Sequence, residues 1–378
     1  MNSERKTLLI QIILFLVTLL TTTLAGSELV FGKSILSGEY TWDDFFQGMN
    51  YSVPFLFILS VHEFGHYFTA RYHQVKASLP YYIPFYLPIL FPFSIGTFGA
   101  LIRLREQVPS LKKNFDIGIA GPLAGFVAAM IVLVWGFTHL PPPEYIFTIH
   151  PDYEKFGMDY AQFVYQPGYL QGGFDISLGN NLLFEAMSTL LADPTRMPNA
   201  HEIIHYPWLL AGYLSLVFTA LNLMPIGQLD GGHVTYGLFG TKGHRLIAIT
   251  IFVLFVFFAG LGTVHPGIPA DEMIISVPLY IGFLYFTLKG LKLYWQNTLI
   301  AALTLFILQY LVVWLFPELM GFGSWLLFAF LLGRFIGIYH PPALVEEPLS
   351  TGRKILGWLA LLILITCFTP VPVEINPF

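Results

Sequence analysis

The sequence predicts an all-α polytopic membrane protein with about nine transmembrane helices, and three observations support this fold class. Hydrophobic residues make up 55% of the 378 residues and charged residues only 11%, proportions that exclude an ordinary soluble globular protein. Apolar runs of bilayer length recur along the chain with polar segments between them. Lysine and arginine, which mark the inner side of a membrane, concentrate in alternate polar segments.

We place the nine predicted spans from their hydropathy, with the first one read as a helix because no convincing signal-peptide cleavage pattern follows it. They are residues 8–25, 51–70, 115–139, 207–224, 244–264, 274–288, 298–316, 323–338 and 355–368. If the first residue faces the cytoplasm, only Lys33, Lys155 and Arg196 among the basic residues lie outside.

The first motif is an HExxH arrangement of His62, Glu63 and His66, set in the apolar run 51–70. On a helix the two histidines are separated by about 40° around the axis and about 6 Å along it, so both imidazoles can reach one metal ion. Glu63 lies on a neighbouring part of that face, where it can act as general base on a water molecule. The pattern predicts a catalytic zinc site whose third ligand comes from elsewhere in the chain.

Chance placement on an amphipathic helix is the alternative explanation of a single HExxH motif. Here the flanking residues carry no charge, and each charged group near the centre of a membrane helix costs about 2.5–3.5 kcal/mol. Metal coordination offsets that cost, whereas a purely structural role offers nothing in return. We therefore favour metal binding.

The segment after the first motif is apolar but rich in proline. Pro80, Pro84, Pro88 and Pro92 remove an amide donor at every fourth residue and so exclude a continuous helix. We predict a re-entrant, extended β hairpin that borders the site, because non-helical backbone at membrane depth must be buried in protein or line a watery cavity. A loop lying flat in the membrane interface is the alternative that the sequence leaves open.

The second motif follows the apolar run 207–224 and contains Asn222 and Asp230. Three glycines permit tight turns where this helix breaks: Gly227, Gly231 and Gly232. Asp230 is the candidate third metal ligand, and a helix N-cap is its alternative role. Because two histidines and one carboxylate complete the protein's share of a zinc site, His233 is expected beside the site rather than in it.

The chain divides into an N-terminal helix and loop (1–50), a core with both motifs (51–264), and C-terminal helices of unknown role (265–378). Small residues at three- and four-residue spacing open the helix at 114–125, and we expect that face to pack against the motif helix. Residues 141–206 form a polar, extracytoplasmic insert. Its histidines, His150, His201 and His205, are expected to cap helices or contact solvent.

Together the motifs resemble those of the site-2 protease family of intramembrane zinc metalloproteases, over about residues 51–240. The resemblance rests on His62-Glu-Phe-Gly-His66 in one membrane helix and Asn222-Leu-Met-Pro-Ile-Gly-Gln-Leu-Asp230-Gly after another. It implies His62, His66 and Asp230 as zinc ligands, Glu63 as the base and Asn222 as a group that holds the substrate carbonyl. Because no PDZ domain is recognised in 141–206, the chain resembles the PDZ-lacking branch typified by the chloroplast members.

The resemblance implies an endopeptidase with one zinc ion per chain that cuts transmembrane segments of single-span membrane proteins within the lipid bilayer, as in regulated intramembrane proteolysis. A membrane metal transporter or metal-binding membrane protein is the alternative, but the sequence shows no further ionisable residues along a path across the membrane. No basic patch with interleaved aromatic residues indicates nucleic-acid binding. A bacterial plasma membrane, with the site toward the cytoplasm, is the simplest expected location.

Overall fold

The computed structural model describes residues 3–88, 93–166, 168–169 and 174–377, and within them the chain is mostly helical with two small antiparallel sheets. The helices are α1 Ser3–Phe31, α2 Trp42–Tyr72, α3 Leu111–Thr138, α4 Ile146–Ile149, α5 Ala161–Val164, α6 Leu182–Leu191, α7 Pro207–Asn222, α8 Asp230–Gly260, α9 Ala270–Leu288, α10 Trp295–Leu315, α11 Trp325–Leu331 and α12 Thr351–Cys367. The strands are β1 Tyr81–Pro84, β2 Thr97–Leu101, β3 Phe174–Leu178 and β4 Val373–Pro377.

The chain forms two compact units. Unit 1 comprises Met1–Gln107, Ala120–Leu221 and Leu362–Phe378, and unit 2 comprises Val108–Ile119 and Asn222–Leu361. The HExxH helix α2, the β1–β2 hairpin and the polar insert belong to unit 1. The second motif and helices α8 to α11 belong to unit 2.

Nine membrane spans are not confirmed. Among the described residues, five helices are long and apolar enough to cross a membrane: Glu4–Phe31, Leu111–Thr138, Asp230–Gly260, Ala270–Leu291 and Trp295–Leu315. Helix α2 is long enough, but its acidic first turn and its HExxH residues lower its mean hydropathy. The predicted spans at 207–224 and 323–338 correspond to helices shorter than a bilayer requires, Pro207–Asn222 and Trp325–Ile336.

Close packing of α1 against α2 fixes the motif helix within unit 1. Helix α2 starts with a capping box, in which the Thr41 hydroxyl and the Asp44 carboxylate each accept the other residue's backbone N–H. Further along, a Cβ on Gly26 would lie 2.6 Å from the Gly48 carbonyl oxygen, so the two backbones touch where these glycines meet. Small residues at such a crossing allow the close approach typical of membrane helices.

The described part of the proline-rich segment after α2 contains two strands, in agreement with the predicted hairpin. Strands β1 and β2 pair antiparallel with Tyr82 opposite Ala100. The hairpin contacts both neighbouring helices: the Gln11 side-chain amide of α1 donates to the Leu79 carbonyl at 2.7 Å, and the Tyr82 hydroxyl lies 2.6 Å from the Ser60 hydroxyl of α2. Proline excludes a helix here, and these contacts hold the resulting strands against α1 and α2.

Three of the four prolines in this segment can be placed. Pro80 precedes β1, Pro84 is its last residue, and Pro88 lies in the turn that follows. Pro92, the fourth proline of the predicted hairpin, lies in residues 89–92, outside the described residues.

In unit 2 a tight turn between α7 and α8 depends on glycine. Gly227 has φ +57°, and a Cβ on Gly231 would lie 1.8 Å from the Leu223 carbonyl oxygen. Helix α8 then bends at Gly240, whose φ of 66° and ψ of −177° are not helical. No residue larger than glycine fits at Gly231, because the preceding backbone lies so close. The resulting tight turn leads directly into α8, whose first residue is Asp230.

Candidate metal centre

The two histidines of the first motif converge on one face of α2. His62 and His66 are only 6% and 7% exposed, and their Nε2 atoms lie 3.1 Å apart. Histidines four residues apart on a helix lie on neighbouring turns of the same face, which explains the convergence. The structure therefore brings together the pair that the HExxH spacing predicts.

These two nitrogens fit a zinc ion. Two ligands of a tetrahedral zinc, each about 2.0–2.1 Å from the metal, lie about 3.3 Å apart. The observed Nε2–Nε2 distance of 3.1 Å is close to that value, and both rings are shielded from bulk water. Nitrogen is a ligand that zinc prefers, so the donor set and its spacing agree with the metal that the motif implies.

Glycines of α3 leave room for the two rings. A Cβ on Gly121 would lie 2.1 Å from Nε2 of His66, and one on Gly125 would lie 2.9 Å from the Cβ of His62. In the opposite direction, a Cβ on Gly65 would lie 2.7 Å from the Ala120 carbonyl oxygen. The prediction that the small-residue face of α3 packs against the motif helix is therefore confirmed for Gly121 and Gly125.

Glu63 follows His62 on α2 and is only 5% exposed. The HExxH motif places this carboxylate next to His62 on the same helix, and a general base must lie close to the water whose proton it accepts. Its position beside a metal-binding histidine agrees with the predicted role, which stays a prediction.

Asn222 and Asp230 belong to unit 2. Asn222 is the last residue of α7 and Asp230 is the first residue of α8, and both are partly exposed. The N-cap position of α8 is occupied by Leu229, so the alternative role of Asp230 as the N-cap residue is not what the structure shows. A carboxylate in the first turn is still favoured by the helix dipole. The roles of Asn222 and Asp230 at the metal stay predictions.

His233, expected beside the metal site, lies against a second histidine. The Nδ1–H of His340 donates to the Pro341 carbonyl at 2.6 Å, so its Nε2 accepts from Nδ1 of His233 at 2.7 Å. A third ring follows, because Nε2 of His244 accepts from the backbone N–H of His340 at 3.3 Å. The sequence gives no sign of His340 and His244 as neighbours of His233, since isolated histidines far from the motif carry no spacing signal.

A comparison with protein families identifies the family to which this chain belongs. A family model described as "Peptidase family M50" matches residues 50–261, which is more than half of the chain and includes both motifs. The chain belongs to peptidase family M50. The resemblance to the site-2 protease family is thereby confirmed, and zinc is the metal that membership implies.

Curated relatives agree with membership of family M50. The chain is 31% identical over 185 residues to "Probable zinc metalloprotease EGY1, chloroplastic" of Oryza sativa subsp. japonica, covering 47% of this chain and 26% of the relative. It is 29% identical to "Probable zinc metalloprotease EGY2, chloroplastic" of Oryza sativa subsp. indica, covering 52% and 30%. It is 28% identical to the EGY1 protein of Arabidopsis thaliana, covering 52% and 31%. The match therefore spans less than a third of each relative's length.

The names of these relatives correct one expectation. All three are named as chloroplastic proteins and come from plants. The expected bacterial plasma membrane, with the site toward its cytoplasmic side, is wrong on this evidence. A count of lysines and arginines gives the orientation of a chain in a bilayer but not which membrane holds it, and this is why composition misled.

Proposed function

We propose that the chain is a zinc-dependent intramembrane endopeptidase that hydrolyses peptide bonds within transmembrane segments of single-span membrane proteins. One observation carries the proposal: a buried pair of imidazoles, His62 and His66, with their Nε2 atoms 3.1 Å apart and Glu63 beside them on the same helix. Membership of family M50 and the zinc metalloprotease names of the relatives support it.

His62, His66 and Asp230 would hold the zinc ion, which leaves one position for water or substrate. Bound zinc supplies Lewis-acid activation of a water molecule and of the scissile carbonyl group. Glu63 accepts the proton that this water loses and later delivers it to the leaving amine, as a general base that becomes a general acid. Its burial keeps bulk water from competing for that proton.

The substrate must present an unwound backbone, because a hydrogen-bonded helix shields its carbonyl groups. The side-chain amide of Asn222 would donate to the substrate carbonyl oxygen. The β1–β2 hairpin would pair with the extended substrate stretch through strand hydrogen bonds, a recognition mode that reads backbone rather than sequence. In this proposal the hairpin and Asn222 orient the bond while Glu63 moves the proton.

The bilayer that holds the enzyme would be a chloroplast membrane, in agreement with the names of the relatives. Single-span proteins of that membrane are then the substrate class. Substrates of this kind can be trapped with a Glu63→Gln variant, because it binds them without cutting them.

The test is cleavage by the Glu63→Gln variant. Glutamine keeps the size of the side chain and removes its basicity, so we expect the cleavage rate to fall about 10²–10⁴-fold. Purified full-length protein is incubated with a tagged single-span substrate, cleavage is followed on a gel, and zinc is measured in the same samples. Zinc content should equal that of the unmodified protein.

Glu39→Gln is the matched control, since Glu39 is an exposed carboxylate in the loop before α2 and its loss should leave cleavage unchanged. A metal transporter would cleave nothing in any form and would carry zinc across vesicle membranes. Cleavage by Glu63→Gln at the unmodified rate, with zinc unchanged, would refute the assigned base.

A further inference from the structure

The polar insert is folded around its own small core. Ile146, Tyr153, Tyr160 and Val164 are all at most 6% exposed and pack together, with further aromatic residues around them. Stacked rings hold this core, for example Tyr153 and Tyr160, whose centroids lie 5.3 Å apart. A packed core of this kind can hold side chains from distant parts of the insert in fixed positions.

Three potential metal ligands meet beside this core. His150 follows α4, whereas Glu202 and His205 lie one turn apart on the 3₁₀ helix Ala200–His205. The Nε2 atoms of His150 and His205 lie 3.2 Å apart. Oε2 of Glu202 lies 3.7 Å from Nε2 of His150 and 3.5 Å from Nε2 of His205. Two imidazole nitrogens and one carboxylate oxygen therefore face a common point.

The size of this triangle matches zinc. A circle through three atoms separated by 3.2, 3.5 and 3.7 Å has a radius of about 2.0 Å, which is the length of a zinc–nitrogen or zinc–oxygen bond. A dication at that point would reach all three ligand atoms without movement of the backbone. His150 is 31% exposed, so water has access to a fourth position.

Hydrogen bonds to residues outside the triangle leave Nε2 of His205 and Oε2 of Glu202 facing its centre. The Nδ1–H of His205 donates to the Val30 carbonyl of α1 at 2.6 Å, which places the lone pair of that ring on Nε2. The Tyr165 hydroxyl donates to Oε1 of Glu202 and leaves Oε2 toward the imidazoles. Metal-binding histidines characteristically donate their other N–H to a carbonyl or carboxylate in this way.

The carboxylate of Glu202 lacks a permanent cationic neighbour among the described residues. It is only 3% exposed, and the described side chains within ion-pair distance of it are those of His150 and His205. A buried carboxylate flanked by two imidazoles is an environment that a dication stabilises.

We propose that His150, Glu202 and His205 bind a second zinc ion, distinct from the one held by the HExxH helix. This zinc joins two parts of the insert that are 55 residues apart in sequence, and the His205–Val30 hydrogen bond ties it to α1. Its role is to fix the fold of the insert. The sequence alone predicts one zinc ion per chain, whereas this proposal predicts two. The measured zinc content therefore distinguishes between them.

The test is zinc stoichiometry in full-length protein that has been loaded with zinc and desalted. We expect about two zinc ions per chain in the unmodified protein, about one in His66→Ala, about one in His205→Ala and none in the double variant. In the His66→Ala protein, added Co²⁺ should give the visible absorption of a four-coordinate site. Glu202→Gln, which keeps the size of the side chain, should remove that absorption.

His201→Ala is the matched control, because His201 lies on the same 3₁₀ helix but donates from Nδ1 to Asp175 at 2.6 Å and is not part of the triangle. It should keep both zinc ions, and a thermal melt checks that each variant is folded. If the His66→Ala protein binds no Co²⁺, or keeps its absorption after Glu202→Gln, the three residues form a hydrogen-bonded cluster without metal and the proposal is wrong. Cleavage activity is not needed for the readout, so failure of the peptidase proposal leaves this result interpretable.

Discussion

The HExxH pair and the insert pair are alike in geometry but differ in how the chain builds them. His62 and His66 have their Nε2 atoms 3.1 Å apart, and His150 and His205 have theirs 3.2 Å apart. The first pair is spaced by one helix, since four residues along α2 bring two rings to one face. The second pair depends on the folded insert, which brings together two segments 55 residues apart.

The two pairs are also positioned by different neighbours. Glycines of α3 make room for the first pair, whereas a backbone carbonyl of α1 orients the second through the His205–Val30 hydrogen bond. A site on one helix persists as long as that helix is formed. A site that joins distant segments stabilises the fold that creates it, because metal binding then favours the folded insert over the open one.

The largest expected effect follows from this difference. In the His66→Ala protein, zinc at one hundred times its dissociation constant should slow amide hydrogen exchange in residues 146–165 and 200–205 about 100-fold. Exchange is measured by mass spectrometry with and without zinc. Peptides from α10, Trp295–Leu315, serve as the internal reference and should not change. Equal slowing in α10 would mean that zinc acts on the whole chain and not through the insert.

The second largest effect is expected from the glycines of α3 that lie against the HExxH pair. An alanine at Gly121 would place its Cβ 2.1 Å from Nε2 of His66, so the ring must swing away and the ligand atom moves with it. We expect zinc affinity at this site to fall about 10- to 100-fold, comparable to the loss of a group that orients a ligand. Competition with a chelating dye measures the affinity, and His205→Ala protein is used so that only this site is read.

Gly282→Ala is the control for that experiment, because a Cβ there meets no atom within 4 Å. It should bind zinc as tightly as its parent. Unchanged affinity in Gly121→Ala would show that the ring adapts and that α3 does not set the ligand position.

The smallest effect is expected at the insert site, the proposed zinc site of His150, Glu202 and His205. Tyr165→Phe removes the hydroxyl that donates to Oε1 of Glu202 but keeps the aromatic ring in the core. One hydrogen bond is worth about 0.5–1.5 kcal/mol, so zinc affinity of the insert site should fall about 2- to 10-fold. Chelator competition in the His66→Ala protein measures it, with Tyr169→Phe as the control. An increase in affinity would contradict the orienting role given to Tyr165.

Local patterns, and the contacts that such a pattern marks, could be predicted from the sequence, whereas contacts without a local pattern could not. The spacing of His62 and His66 predicted their convergence, the prolines from Pro80 to Pro88 predicted an extended hairpin, and Gly121 and Gly125 predicted a close contact with α2. Each of these predictions rests on a spacing pattern among residues within a few positions of one another, even where the contact itself joins distant segments. The grouping of His150 with His205 depends on the folded insert, so no spacing rule could reveal it.

The predicted number of spans is not confirmed, for a different physical reason. Hydropathy counts apolar runs, but an apolar run can also form a helix packed among other helices. The 16-residue helix α7 has most of its residues buried, although it reads as a span in the sequence. Conversely, α2 holds buried polar side chains that lower its hydropathy.

The pairing of β3 with β4 imposes an order on synthesis. Just beyond β3, the side-chain amide of Asn181 donates to the Thr369 hydroxyl 188 residues later, next to β4. At about 5–20 residues per second, a ribosome needs roughly 10–40 s to cover that interval. Until then β3 has an unpaired edge, which is open to chaperones and to incorrect partners. The insert is therefore completed only after the whole of unit 2 has been translated.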